Sequence, residues 1–440
     1  MKMQLMDWLI LIFSFTFIIY AAIKARKFAT NVVNFLSAGR CAGRYILSVA
    51  QGEAATGAIT LIAAFELFYK AGFTKYFWDL LMIPVGIMIA LSGWVTYRYR
   101  QTRALTLAQF FEMRYSKKFR IFAGMLIWFS GVLNFGVFPG VGARFFISFW
   151  GLPSHFVLFG ITISTFLVML FVIISLALFF IYLGGMITVL VTDFWQGVLA
   201  GFVMIAVMFY FFFTMKWSTI VETLHIVSQP GQSMFNPFDI SSQKDFNFLF
   251  YLIGIFLMLY GVKAWQGSGG YFTSALTAHE AKMSGVISQF KNWQSKAIFI
   301  LLPLAALVLL NHPDFTEIAS TITGNLESSY PGDHTLQTQM RVPAAISQIM
   351  PIGLVGAFSV VMLGFAVSTN NTYMHSWGSI LVQDVICPLR KKPLGQKEHL
   401  RYLRFSILGV AVFSFLYSWL FPLKEYIWMY FQNLLNSLFQ

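Results

Sequence analysis

Gln51-Gly52-Glu53-Ala54-Ala55-Thr56-Gly57 lies inside an otherwise apolar run, residues 45–69, and sets an acid, an amide and two glycines at mid-membrane depth. A second run, residues 248–270, ends in the same way with a base: Gly261-Val262-Lys263-Ala264-Trp265-Gln266-Gly267-Ser268-Gly269-Gly270. Backbone can leave the helix inside a bilayer only where protein or an internal cavity satisfies the freed polar groups. A pair of interrupted spans in corresponding positions of two halves points to a transporter binding site, where unwound carbonyls bind a cation and half-helix ends meet the solute. Small residues also let helices pack closely, so the glycines alone do not decide. The charges do, because an ionised side chain at the bilayer centre costs at least about 2.5 kcal/mol unless it is paired or wet. Two readings of Glu53 and Lys263 follow. In one, Glu53 supplies charge to a Na+ or H+ site, while Lys263 pairs with it or meets an anionic group of the solute. In the other, the two form a permanent structural salt bridge.

The rest of the chain has the composition such spans need. Of 440 residues, 58% are hydrophobic and 11% charged, against roughly 25% charged in soluble domains, which excludes a water-soluble globular protein. The 49 Phe exclude a disordered chain. The net charge of +13 resides in short runs between apolar segments, so its partner is an anionic lipid surface and not nucleic acid. Cys41 and Cys387 both fall in basic loops, and neither a disulfide nor a metal cluster is expected.

Eleven apolar runs are long enough to consider as spans: 8–23, 45–69, 76–95, 121–149, 156–182, 186–213, 248–270, 296–310, 342–386, 403–421 and a short 426–439. Gly184-Gly185 alone separates the fifth from the sixth. Residues 8–23 lack a small-residue cleavage pattern, and their basic residues follow the apolar stretch, so they read as a retained span and not a signal peptide. The Lys and Arg of the loops near residues 24–44, 98–120, 282–296 and 390–404 fall on one side, and the acidic segment 311–340 on the other. This predicts a multi-pass protein of the cell membrane with the N-terminus outside and the C-terminus cytoplasmic. A single domain, residues 1–440, would comprise an extra N-terminal helix at 8–23, a first five-helix repeat at 45–213 and a second at 248–440. Arg144 reads as an interfacial anchor that snorkels outward.

The ninth run carries Gly364-Phe365-Ala366-Val367-Ser368-Thr369-Asn370-Asn371-Thr372-Tyr373-Met374-His375, too polar to face lipid all round. Ser368 and Thr369, with unwound carbonyls of the second span, would complete an oxygen cage for a hard monovalent cation. Alone, such hydroxyls usually bond back to the preceding turn. His375 has no second His at ligand spacing, and Gly267-Ser268-Gly269-Gly270 lacks the ending of a phosphate loop, so neither an intramembrane enzyme nor an ATP-driven pump is expected.

These residues resemble the solute:sodium symporter family. Phe35-Leu36-Ser37-Ala38-Gly39-Arg40 is similar to the family's approach to its first core helix, and Thr106-Leu107-Ala108-Gln109-Phe110-Phe111-Glu112-Met113-Arg114-Tyr115 to its loop before the third. Gly184-Gly185 followed by Thr192-Asp193-Phe194-Trp195-Gln196 is the most specific match. The resemblance implies an all-α polytopic membrane protein with a LeuT-type 5+5 inverted repeat and one extra N-terminal helix, about 11 transmembrane helices in all. It implies sodium-coupled symport of a small organic solute by alternating access. Na+ would be held by the carbonyls of Gln51, Ala54 and Phe365 and the hydroxyls of Ser368 and Thr369. Ion coupling would involve Glu53 and Asp193, and solute contacts Gln51, Glu53, Tyr260, Lys263, Trp265 and Gln266. Some amino-acid carriers of the family have an acid where Glu53 stands. No cofactor is implied beyond the coupling ion, with H+ as the alternative to Na+. Asp193 also reads as a helix N-cap with Thr192. Tyr271 departs from the family pattern, which has a basic residue there. Leu423-Lys424-Glu425-Tyr426 is similar to the approach to the tenth core helix, yet about 14 apolar-patterned residues remain, short of a comfortable span. The alternatives are therefore a solute sensor of the same fold and a transport-inactive truncated homologue; solute identity and oligomeric state stay open.

Overall fold

A computed structural model describes residues 3–239, 248–291, 293–421 and 427. The principal helices are α1 Leu5–Ala25, α2 Arg44–Ala55, α3 Ala58–Ser92, α4 Lys117–Phe135, α5 Phe138–Trp150, α6 Thr165–Gly184 and α7 Met186–Thr214. They continue with α8 Phe248–Tyr260, α9 Gly269–Ser274, α10 Ala278–Lys291, α11 Trp293–Asn311, α12 His334–Ile349, α13 Leu354–Ile380 and α14 Gln396–Leu420. Among the described residues, eight helices, counted across their bends, are long and apolar enough to cross a membrane.

Both interrupted spans are broken in space. Helix α2 stops at Thr56, whose hydroxyl and N–H both bond back to the Gly52 carbonyl, and α3 starts afresh after Gly57. A Cβ on Gly57 would stand 2.4 Å from Thr369 Oγ1, so only glycine lets the break approach α13 this closely. On the other side, α8 ends at Gly261, a turn carries Lys263 at φ 65°, and α9 follows. Gly72, at φ 52° and ψ −134°, bends α3, which separates the predicted runs 45–69 and 76–95. Gly185, at φ 57°, divides α6 from α7, so the two-glycine signal does mark two helices.

Three expected spans differ from the reading of the sequence. Residues 155–164 form an antiparallel hairpin, β1 His155–Leu158 with β2 Ile161–Ser164, and α6 begins only at Thr165. Its two-residue turn has positive φ at both Phe159 and Gly160, the geometry that matches strand twist, and its β-branched residues count as apolar in any hydropathy sum. The run 121–149 is bent where α4 gives way to α5. Residues 342–349 belong to α12, because Pro351 and Gly353, at φ 86°, end one helix before α13 starts. The run 426–439, Ile427 apart, lies outside the described residues.

Helix α13 is the buried axis of the molecule, packed against α1, α6, α7 and α14. The extra N-terminal helix fixes its start: Asp7 Oδ1 accepts the N–H of Gly353 and of Gly356, both at 2.8 Å. A carboxylate at a helix N-terminus satisfies orphan donors and opposes the positive end of the dipole. Past Ile380 the chain continues as a π-helical turn, Leu381–Ile386, that places Asp384 against Gly124 of α4.

Candidate ion and solute site

The break after α2 meets α13 at one hydrogen bond: Thr369 Oγ1 donates to the Ala54 carbonyl at 3.1 Å. One turn earlier Phe365 is buried, and next to Thr369 the Ser368 hydroxyl is fully buried. Ser368 Oγ lies within reach of Asp193 and Tyr271 but makes no bond of regular geometry. Asp193, on α7 and 0% exposed, accepts the Tyr271 hydroxyl from α9 and Asn371 Nδ2 at 3.5 Å. The same Tyr271 hydroxyl is 2.7 Å from Thr372 Oγ1.

Glu53 enters the cluster through glycines. Its carboxylate oxygens lie 3.2 Å and 3.5 Å from where Cβ atoms on Gly197 of α7 and Gly364 of α13 would be, so a side chain at Gly197 would crowd it and one at Gly364 would touch it. Gln196 packs beside Gly364, and both its amide atoms are buried without a hydrogen-bond partner. Two carboxylates, the Ser368 and Thr369 hydroxyls, an amide and the carbonyl of an unwound helix are hard oxygen donors gathered in one buried region. That donor set suits a hard monovalent cation and offers no nitrogen or thiolate for a transition metal. Both amide atoms of Gln196 and the Ser368 hydroxyl are among the buried polar atoms of the described residues that make no hydrogen bond of regular geometry, where most such groups are satisfied.

Beside this cluster lies a cavity of about 590 Å³. Gln51, Gly52 and Ala55 of the first break line it, with Met258, Val262 and Lys263 of the second, and α3, α10 and α11 close its sides. Residues expected to act together thus divide. Glu53 and Ala54 face α13, whereas Gln51 and Lys263 face the cavity. Lys263 does not pair with Glu53: its Nζ stands 4.8 Å from the centroid of the Phe272 ring, a cation-π contact. The permanent salt-bridge reading is corrected by that geometry.

Trp265 and Gln266 are structural neighbours of the cavity. Trp265 Nε1 donates to Tyr373 at 3.2 Å. Gln266 donates to the Lys263 carbonyl at 2.8 Å and accepts the Leu107 N–H at 3.0 Å, tying the break to the loop before α4. Tyr260 is 72% exposed at the end of α8, away from both cavity and cluster. Arg144 is buried over the Phe166 ring at 4.8 Å instead of snorkelling outward, because the hairpin brings the start of α6 across it. Tyr271, Gln196, Asn371 and Thr372 join the site without having been singled out for it. Tyr271 carried a signal as the departure from the family pattern, Gln196 as the end of the most specific family match, and Asn371 and Thr372 as part of the polar stretch of the ninth run.

The sequence matches the profile of the Sodium:solute symporter family over residues 35–438. A Sodium/proline symporter of Staphylococcus aureus is 22% identical over 426 residues, covering 92% of this chain and 73% of that protein. Among solved structures, the substrate-bound outward-open state of a Na+-coupled sialic acid symporter superposes with a TM-score of 0.77 at 16% identity, covering 99% of this chain and 86% of that one. At that identity the likeness concerns the fold, and it bears out the expected architecture.

Proposed function

This chain belongs to the sodium:solute symporter family, and on that premise we propose how it holds its ion and its solute. It is a multi-pass membrane protein that couples Na+ to the movement of a small solute. Na+ sits between the α2 break and α13, on the carbonyls of Gln51, Ala54 and Phe365 and the hydroxyls of Ser368 and Thr369. Glu53 and Asp193 supply the opposing charge, with no further cofactor. The solute occupies the adjacent cavity against Gln51 and Lys263, while Trp265 and Gln266 fix the shape of its wall. Tyr260 has no part in this reading, given its exposure. The basic loops support a cytoplasmic C-terminus and an external N-terminus.

The observation that carries the reading is the Thr369 to Ala54 contact. It joins a backbone break to the buried axis through groups that an ion would bridge more strongly than they bridge each other. A ligand shifts a conformational equilibrium only by its differential affinity for the two states. An ion that needs the break and α13 together therefore favours one arrangement of the first repeat against the second, and so sets the shape of the cavity beside it. The Tyr271 hydroxyl on Asp193 favours a second reading in which H+ replaces Na+ as the coupling ion.

Reconstitution tests this. Proteoliposomes loaded with K+ buffer and diluted into Na+ buffer should accumulate a labelled solute from a set of amino acids, beginning with proline, carboxylates and sugars, and dissipating the Na+ gradient should abolish accumulation. Uptake driven only by an imposed pH gradient would support H+ coupling. Saturable binding with no accumulation under either gradient would support a sensor.

A further inference from the structure

The cavity has a charge and a texture that select its occupant. Three ammonium-bearing side chains line it, Lys263, Lys282 and Lys296, against one carboxylate, Asp79. That carboxylate is already engaged by Lys75, one helical turn away on α3. Lys263 is offset by an aromatic face and by no acid, and the left-handed backbone that holds it, φ 65°, is a costly conformation for a side chain of its kind. Lys296, half-buried in the first turn of α11, lines the opposite wall within electrostatic reach of Asp79, the carboxylate that Lys75 already holds. Between the lysines the wall is apolar, with Phe68, Ile83, Met258 and Phe299.

We propose that the solute is a small organic anion, a carboxylate on an apolar body, whose negative charge lies among Lys263, Lys282 and Lys296. The inference rests on the symporter reading and deepens it. A cationic solute would meet three like charges in a confined, partly desolvated space, where such juxtaposition is strongly unfavourable. A neutral polyol would find hydrogen-bond partners in Gln51, Ser288 and Gln289 but would leave the three ammonium groups without an added opposing charge. An anion satisfies the ammonium groups and places its body on the apolar wall. The Na+ beside it then offsets the charge carried with each solute.

The test is thermal stability of the purified full chain in detergent, with two matched series of probes: phenylacetate, phenylacetamide and phenethylammonium, and hexanoate, hexanamide and hexylammonium. Each is titrated in NaCl and in KCl. The carboxylates should raise Tm saturably in NaCl, with half-maximal concentrations at least tenfold below those of the amides, and the ammonium probes should give no shift. The double variant Lys263→Gln/Lys296→Gln, checked for a monodisperse peak on gel filtration, should lose the preference, and Lys263→Arg should keep it. Amides or ammonium ions binding as tightly as carboxylates, no response to either carboxylate, or an unchanged preference in the double variant would each overturn the proposal. A carboxylate shift equal in NaCl and KCl would leave the anion site standing and remove sodium coupling. Stabilisation by NaCl with a preference for the amides would do the reverse.

Discussion

Thr369 illustrates what a single hydroxyl does in this molecule. Where Ser359 and Asn370 of the same helix bond back to their own turn, it reaches out and donates to a carbonyl of a different element. Thr369→Ala should leave the Ala54 carbonyl buried without its partner, at a cost of about 1–3 kcal/mol. The expected result is a lower Tm without ligand and a sodium midpoint raised at least tenfold; an unchanged midpoint would remove Thr369 from the ion site. At this scale the sequence was informative where chemistry is unusual for a lipid environment: an acid in a span, two adjacent hydroxyls, a threonine-aspartate pair. It pointed to the motif that holds Gln196 and the polar stretch that holds Asn371 but gave neither residue a role, because an amide on a long apolar helix reads the same whether it faces a neighbour or a cluster. Which face meets which is decided by the packing of α7 against α13, not by either segment alone.

Elements fail or hold at their breaks. Gly57→Ala puts a methyl 2.4 Å from Thr369 Oγ1 and 3.1 Å from its Cβ, so either the break or α13 must move. Overpacking of this kind costs about 1–3 kcal/mol, and the variant should show both a lower Tm and a lost sodium response. A second junction is ionic. Arg120 of α4 donates to Asp384 at 2.9 Å, to Glu112 at 2.6 Å and to the Gln383 carbonyl at 2.7 Å, and Thr106 adds a bond to Asp384 at 2.8 Å. Removing one partner strands a buried charge, so Arg120→Gln should destabilise by about 3–5 kcal/mol, and Arg120→Gln/Asp384→Asn should recover part of it. Chemical or thermal unfolding of both variants checks this; equal losses in the single and double variants would show that the pair is not coupled. The glycine clusters made the breaks legible, and Gly184-Gly185 was read correctly as a boundary. The hairpin at 155–164 was not legible, since Phe-Val-Leu and Ile-Thr-Ile are as apolar as any span, and a Phe in the left-handed region is unusual at a turn.

For the molecule as a whole, the paired interruptions and the extra first helix were enough to foresee the fold class. The number of separate helices was not, because bends at Gly72, at Gly136 and before Gly353 divide or join apolar runs without changing their hydropathy. The symport account requires that one ion unite elements from both halves, so its effect should be global and not local to one helix. The most direct measurement is Tm of the purified chain titrated with NaCl against matched KCl, in the wild type and in Ser368→Ala/Thr369→Ala. The account predicts a saturable rise specific to Na+ that the double variant loses, since a ligand bound only by the folded state stabilises it in proportion to the logarithm of its concentration above Kd. Equal responses to Na+ and K+ in the wild type, or a sodium-specific rise that survives in the double variant, would contradict it.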